Sequence, residues 1–222
     1  MKKQTLLLAL VGVLSACSKP EPLLLGSVEL PYATVADAAE DLQQAYQGFG
    51  IETLRSHLIQ FGLGQAALLH AAHPDASLAA RKLAETYAEE LRQGTPFEEV
   101  MRRWCEASGF PMELDTPAKP HPSDLGASVA AAVAVLEPGE WSGPLKTTYG
   151  WEVVFLVERK ADVPRNRAQV ILYRLLFAVG TPEDRQRIDQ EWAAVSFGGN
   201  PELLRALPLS LRMGRVQKDS TE

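Results

Sequence analysis

Residues Leu136–Arg159 read L-E-P-G-E-W-S-G-P-L-K-T-T-Y-G-W-E-V-V-F-L-V-E-R, and this string constrains the fold more than any other part of the chain. From Trp151 to Arg159 the chain alternates. Trp151, Val153, Phe155 and Val157 fall on one side of an extended backbone, and Glu152, Val154, Leu156 and Glu158 on the other. That period of two, with its β-branched and aromatic residues, predicts a strand. Pro138-Gly139, Ser142-Gly143-Pro144 and Gly150 punctuate the approach to it. The stretch therefore reads as a loop, a short strand, a turn and a longer strand.

Helical periodicity surrounds this string. Thr34–Phe49 predicts a helix capped by Thr34, and Ile51–Leu63 predicts shorter helical pieces broken near Gly62 and Gly64. Ser77–Arg92 carries Ala80, Leu83, Ala84, Tyr87, Ala88 and Leu91 on one face and charged residues on the other. A second helix, with Phe97, Val100, Met101 and Trp104 inward, follows Gly94 and Thr95-Pro96. Glu106–Ser123, rich in proline, reads as a loop, and Asp124–Leu136 as a helix. Gln169–Phe177 is a further strand candidate, with a helix starting at Thr181-Pro182. The apolar run Gln65–His73 is too short for periodicity to separate strand from helix.

A length of 222 residues leaves room for one ordinary domain with appendages, and 46% hydrophobic with 23% charged residues describes a globular chain. A net charge of −6 without a basic cluster argues against nucleic acid as a partner. Lys2-Lys3, the apolar run Thr5–Leu14 and Leu14-Ser15-Ala16-Cys17 have the layout of an export signal, with a hydrophobic run too short to span a bilayer. The last four residues resemble the lipobox of bacterial lipoproteins. That resemblance implies removal of residues 1–16, lipidation of Cys17, and anchoring in the cell envelope at the periplasmic face of the outer membrane, where Ser18 in place of Asp directs such proteins. A secretory signal with a chance cysteine is the competing reading. Residues 17–32, containing Lys19-Pro20-Glu21-Pro22, are expected to form a tether, with Leu23-Leu24-Leu25 docking on the body. Cys105 then has no disulfide partner, and the four histidines show no metal-ligand spacing, so neither a metal nor another cofactor is expected.

The Leu136–Arg159 string resembles the C-terminal end of parvulin-type peptidyl-prolyl isomerase domains. Leu136, Gly139, Glu140, Ser142, Pro144, Thr147 and Gly150 stand at matching positions, with Leu145 in place of Val. The helix–Gly–x–x–Phe–helix block extends the likeness upstream to His70. The resemblance implies an α+β fold, a small antiparallel sheet flanked by helices, over residues 65–160. Residues 33–64 would be an N-terminal helical segment and residues 161–222 a C-terminal strand and helix extension. It places Leu68–Ala72 on the first strand, so that His70 matches the family's first catalytic histidine. Glu152 stands where the second is usual, and the Cys/Asp position falls on Ala107. The implied catalytic set is His70, Glu152 and Thr147, with Leu125, Val129 and Trp151 binding substrate. The implied function is prolyl isomerisation or chaperone work on unfolded or proline-containing envelope polypeptides. The alternative is a silent parvulin fold that binds peptide without turnover. His57 and His73 read as surface or packing residues.

Overall fold

A computed structural model of the chain describes residues 20–108, 125–160 and 168–215. Cys17 and the export signal, and the loop expected over Glu106–Ser123 apart from its first three residues, lie outside the described residues.

Two three-stranded antiparallel sheets organise the fold. The larger is built on β4 (Gly150–Arg159), which pairs with short β3 (Leu145–Lys146) on one side and β5 (Val170–Ala178) on the other. The β4–β5 ladder runs from Gly150↔Ala178 to Arg159↔Val170, with an irregularity between Leu156 and Glu158. β5 belongs to this sheet along its full length, so the C-terminal extension expected from residue 161 begins inside it. Register places Glu152, Val154 and Leu156 on one face with Arg174, Leu172 and Leu176; Trp151, Val153 and Phe155 share the other with Phe177, Leu175 and Tyr173. Phe97 stacks on Phe155, ring centroids 4.4 Å apart, and also touches Tyr173, which ties the second face to helix α5.

The smaller sheet joins the ends of the described chain. β1 (Leu23–Leu25) pairs with β2 (Val28–Leu30) and with β6 (Phe197–Gly199), in the order β2-β1-β6. Half of the segment expected to be a tether, Leu23–Leu30, is therefore a hairpin. Leu23, Leu25 and Leu30 are all buried, and turning Gly26 to a φ of +60° lets the two strands meet. Arg55, itself buried, reinforces the closure by bonding Glu202 and the Tyr32 hydroxyl, while the Asn200 amide donates to the carbonyl of Glu21. The regions expected as separate N- and C-terminal appendages thus share one helical lobe.

In that lobe, α1 (Tyr32–Ala45) begins two residues before the expected Thr34 cap, with Pro31 at the cap position and no side-chain cap bond. α2 (Ile51–Leu58) runs through a π-helical turn at Ile59–Leu63 into α3 (Gly64–Ala72). The strand expected at Leu68–Ala72 is therefore helix. Its residues explain the outcome: Ala66, Ala67, Leu68, Leu69, Ala71 and Ala72 are strong helix formers, no β-branched residue interrupts them, and the run continues a helix already nucleated upstream.

Helix α4 (Pro74–Arg92) starts three residues earlier than its periodicity suggested, because Pro74 occupies the first turn, where its missing N–H costs nothing. It buries Ala80, Ala84, Ala88 and Leu91 but leaves Leu83 exposed. α5 (Phe97–Ser108) and α6 (Ala127–Val135) complete the frame of the larger sheet. α7 (Pro182–Ala194), α8 (Pro201–Ala206) and α9 (Leu209–Arg215) follow β5.

α7 packs along α3 and opens with a capping box: the Asp184 N–H donates to the Thr181 hydroxyl, and the Thr181 N–H to the Asp184 carboxylate. Thr181→Ala removes one half of it and should destabilise the fold by about 1 kcal/mol, with no change in the sheet. A urea midpoint equal to the wild type's would show that the cap contributes nothing here.

Candidate functional site

The turn between β3 and β4 is where the residues singled out by sequence meet. Gly150 adopts a φ of +147°, and a Cβ there would stand 2.2 Å from the carbonyl oxygen of Phe177, so the turn needs glycine at this point. Thr147 closes the turn through its N–H to the Gly150 carbonyl at 2.8 Å.

His70 approaches this turn from α3 rather than from a neighbouring strand. Its Nε2 lies 3.1 Å from the carbonyl oxygen of Thr147 and 3.2 Å from that of Gly150. Carbonyls only accept, so Nε2 carries the proton. Nδ1 then accepts from the Ser77 hydroxyl at 2.6 Å, and the Trp151 indole N–H donates to the same oxygen at 3.3 Å. Burial, helped by nearby Lys146, lowers the His70 pKa to about 4, so the ring is neutral at pH 7. The imidazole meets Trp151 edge-on, and the Arg81 guanidinium covers the indole. His70 is thus a buried group with both nitrogens bonded, and it holds the turn from behind.

Glu152 and Thr147 lie on the other side. Glu152 is only 1% exposed, yet it borders a cavity of about 270 Å³. The Thr147 hydroxyl donates to its Oε1 at 2.9 Å, while Nε and Nη2 of Arg174 donate to its Oε2 at 2.7 and 2.6 Å. Arg174 comes from β5, one step diagonally along the ladder from Glu152. Sequence reasoning missed it, although it is the lone charge inside V-I-L-Y-R-L-L-F-A, and a charge in an otherwise apolar strand signals a partner. Ser77 was missed as well, as was Phe61 at the cavity mouth.

The structure therefore divides the predicted set. Thr147, Glu152 and Val129 border the cavity; His70 and Trp151 form a second cluster behind it, linked through the backbone of Thr147. Leu125 and Val129 are core residues, 7% and 1% exposed, so neither offers the open apolar surface expected of a substrate pocket. Ala107 lies in a different groove, with Leu83, Tyr87, Trp104 and Leu176. Cys105 is buried and its thiol pKa is raised by that burial, so it does not form the thiolate that reactive cysteines use.

Chemically, the cavity offers a fixed carboxylate–guanidinium pair, a hydroxyl and two exposed aromatic rings, Phe61 and Tyr149. That set suits binding of a polar backbone next to an apolar side chain.

Residues 65–170 match the sequence model of the PPIC-type PPIase domain. Among curated proteins, the chaperone SurA of Nitrosospira multiformis is 31% identical over 80 residues, which are 36% of this chain and 18% of that protein. No solved structure matches the chain. The family match spans Thr147, Gly150 and Glu152, the residues that shape the turn and the cavity floor, and the chain accordingly carries a parvulin-type peptidyl-prolyl isomerase domain.

Proposed function

We propose that the chain is a parvulin-like prolyl isomerase and folding chaperone of the bacterial cell envelope, tethered there through a lipid on Cys17. The envelope assignment rests on the lipobox-like Leu14–Cys17, and the chaperone reading on likeness to a chaperone over part of the chain. Among the described residues, no helix is long and apolar enough to cross a membrane.

The observation that carries the catalytic reading is the Thr147–Glu152–Arg174 floor of an open cavity, of which Thr147 and Glu152 fall within the family match. Rotation about a peptide bond meets a barrier of about 18–20 kcal/mol, most of it lost amide resonance. A catalyst lowers this by gripping the proline, excluding water from the planar amide, and presenting a donor to the nitrogen lone pair exposed by twisting. We assign that role to Arg174, which borders the cavity. Two of its nitrogens are spent on Glu152, which fixes the guanidinium plane beside the cavity while the side chain remains 37% exposed.

The satisfied state of the site favours a second reading. Both Glu152 oxygens are engaged and His70 is fully bonded and neutral, which is also what a module that binds peptide without turnover would show. A protease-coupled assay on an X-Pro tetrapeptide separates the two. Acceleration over the uncatalysed rate that drops roughly tenfold in Glu152→Gln supports catalysis, a change of about 1.4 kcal/mol in barrier. An uncatalysed rate alongside retained binding of an unfolded polypeptide would establish the binding module instead.

A further inference from the structure

The exposed apolar surface of the cavity does not come from the parvulin region's expected pocket residues. Leu125 and Val129 are buried and Trp151 packs on His70 behind the turn. Two aromatic rings take their place. Tyr149, on the β3–β4 turn, is 49% exposed, with the Arg185 guanidinium 5.5 Å from its centroid. Phe61, on the π-helical turn of the N-terminal lobe, is 62% exposed.

Three features fix Phe61 in place. Its backbone leaves the helical region, at φ −113° and ψ 20°, so its side chain departs from the helix periodicity that would otherwise carry it along. The next residue, Gly62, lies so close to the start of α6 that a Cβ would sit 3.0 Å from that of Ala127. Two residues on, Gly64 is pressed against the Trp192 ring, where a Cβ would meet it at 2.4 Å. The π-helical turn is thus wedged between α6 and α7. The His57 ring lies against Phe61, with centroids 5.0 Å apart, while most of the phenyl ring remains open.

We propose that Phe61 is a specificity-determining residue of the site: with Tyr149 it receives the pyrrolidine ring of a client's X-Pro unit, whose imide then lies over the Glu152–Arg174 pair. Aromatic-lined surfaces suit proline because its rigid ring stacks on them with little loss of freedom, as in grooves that read proline-rich segments. Phe61 precedes residue 65 and Arg174 follows residue 170, so the proline site is composite. The helical lobe and β5 complete a pocket that the family-matched segment leaves open. This inference rests on the proline-directed function proposed above.

The test uses the full chain and two fluorescein-labelled tetrapeptides, Ala-Ala-Pro-Phe and Ala-Ala-Ala-Phe, titrated by fluorescence anisotropy. Wild type should prefer the proline peptide. Phe61→Ala should weaken proline-peptide binding by about tenfold and erase the preference, and Phe61→Leu should fall between the two. Because Phe61 is exposed, thermal melting should be unchanged in both variants. A wild-type-like preference in Phe61→Ala overturns the role of Phe61 while leaving the functional reading intact. Absence of any proline preference in the wild type overturns the functional reading and this inference with it.

Discussion

Arg174→Ala is expected to destabilise the fold by about 3 kcal/mol, near the lower end of the cost of breaking a buried ion pair. The cost arises at Glu152 rather than at the arginine. Glu152 is sealed at 1% exposure, and removing the guanidinium leaves its Oε2 without either donor, while only the Thr147 hydroxyl still serves Oε1. Arg174 itself reaches solvent at 37% exposure, so the converse change should be milder: in Glu152→Gln the freed guanidinium can rehydrate, and the new amide oxygen still accepts from Thr147. For a chain of this size, 3 kcal/mol corresponds to a fall in Tm of roughly 6–12 °C. The double variant Glu152→Leu/Arg174→Leu should recover much of the loss, because neither partner is then left charged and unpaired. A loss in Arg174→Ala no larger than about 0.5 kcal/mol, the range of an ordinary surface arginine, would mean that water reaches Glu152 and that the cavity floor is not a sealed ion pair.

The same pair shows where sequence reading ended. β4 was legible because its alternation and glycine punctuation are local properties of the string, and α4 and α5 for the same reason. The partner of Glu152 was not legible, because a ladder contact across a 22-residue separation leaves no periodicity in either strand. Only the isolated charge of Arg174 marked it. The hairpin Leu23–Leu30 and its partner Phe197–Gly199 are three-residue strands drawn from opposite ends of the chain, shorter than any window in which alternation can be counted. Gln65–His73 misled differently. Its apolar character all round matches a buried strand as well as a buried helix, and the family likeness suggested the strand, whereas the run of alanine and leucine behind an existing helix favoured α3. His70 reaches Thr147 all the same. The resemblance named His70, and the element that brings it to the turn is a helix where a strand was expected.

What His70 does at that turn gives the second large effect, which depends on pH. Its folded pKa of about 4 lies below the ordinary value of 6.5, so between these values the native state binds fewer protons than the unfolded chain. Stability is then complete above pH 6.5 and is lost as the pH falls toward 4, by roughly 3 kcal/mol over the window. The structural cause is specific. Protonation leaves Nε2–H donating to Thr147 and Gly150, but puts a second proton on Nδ1, which costs the Ser77 hydroxyl its acceptor and places a charge in a closed space beside Lys146. Carboxylates with lowered pKa values, such as Glu202 and Asp184, lose their contribution as the pH falls through and below the ordinary carboxylate range, whereas Asp41, raised by burial, opposes the acid loss and is common to every variant compared. His57 is likewise lowered by burial and must be separated from His70. Urea midpoints measured at pH 7 and pH 4.5 should therefore fall steeply in wild type and in His57→Gln. In His70→Gln the pH 7 midpoint should be lower and its fall toward pH 4.5 much shallower, with only the His57 contribution left. An unchanged slope in His70→Gln would show that the imidazole is hydrated and does not hold the turn. If the slope follows His70, then acid loosens the Thr147–Gly150 turn first, and with it the hydroxyl that orients Glu152 under the cavity.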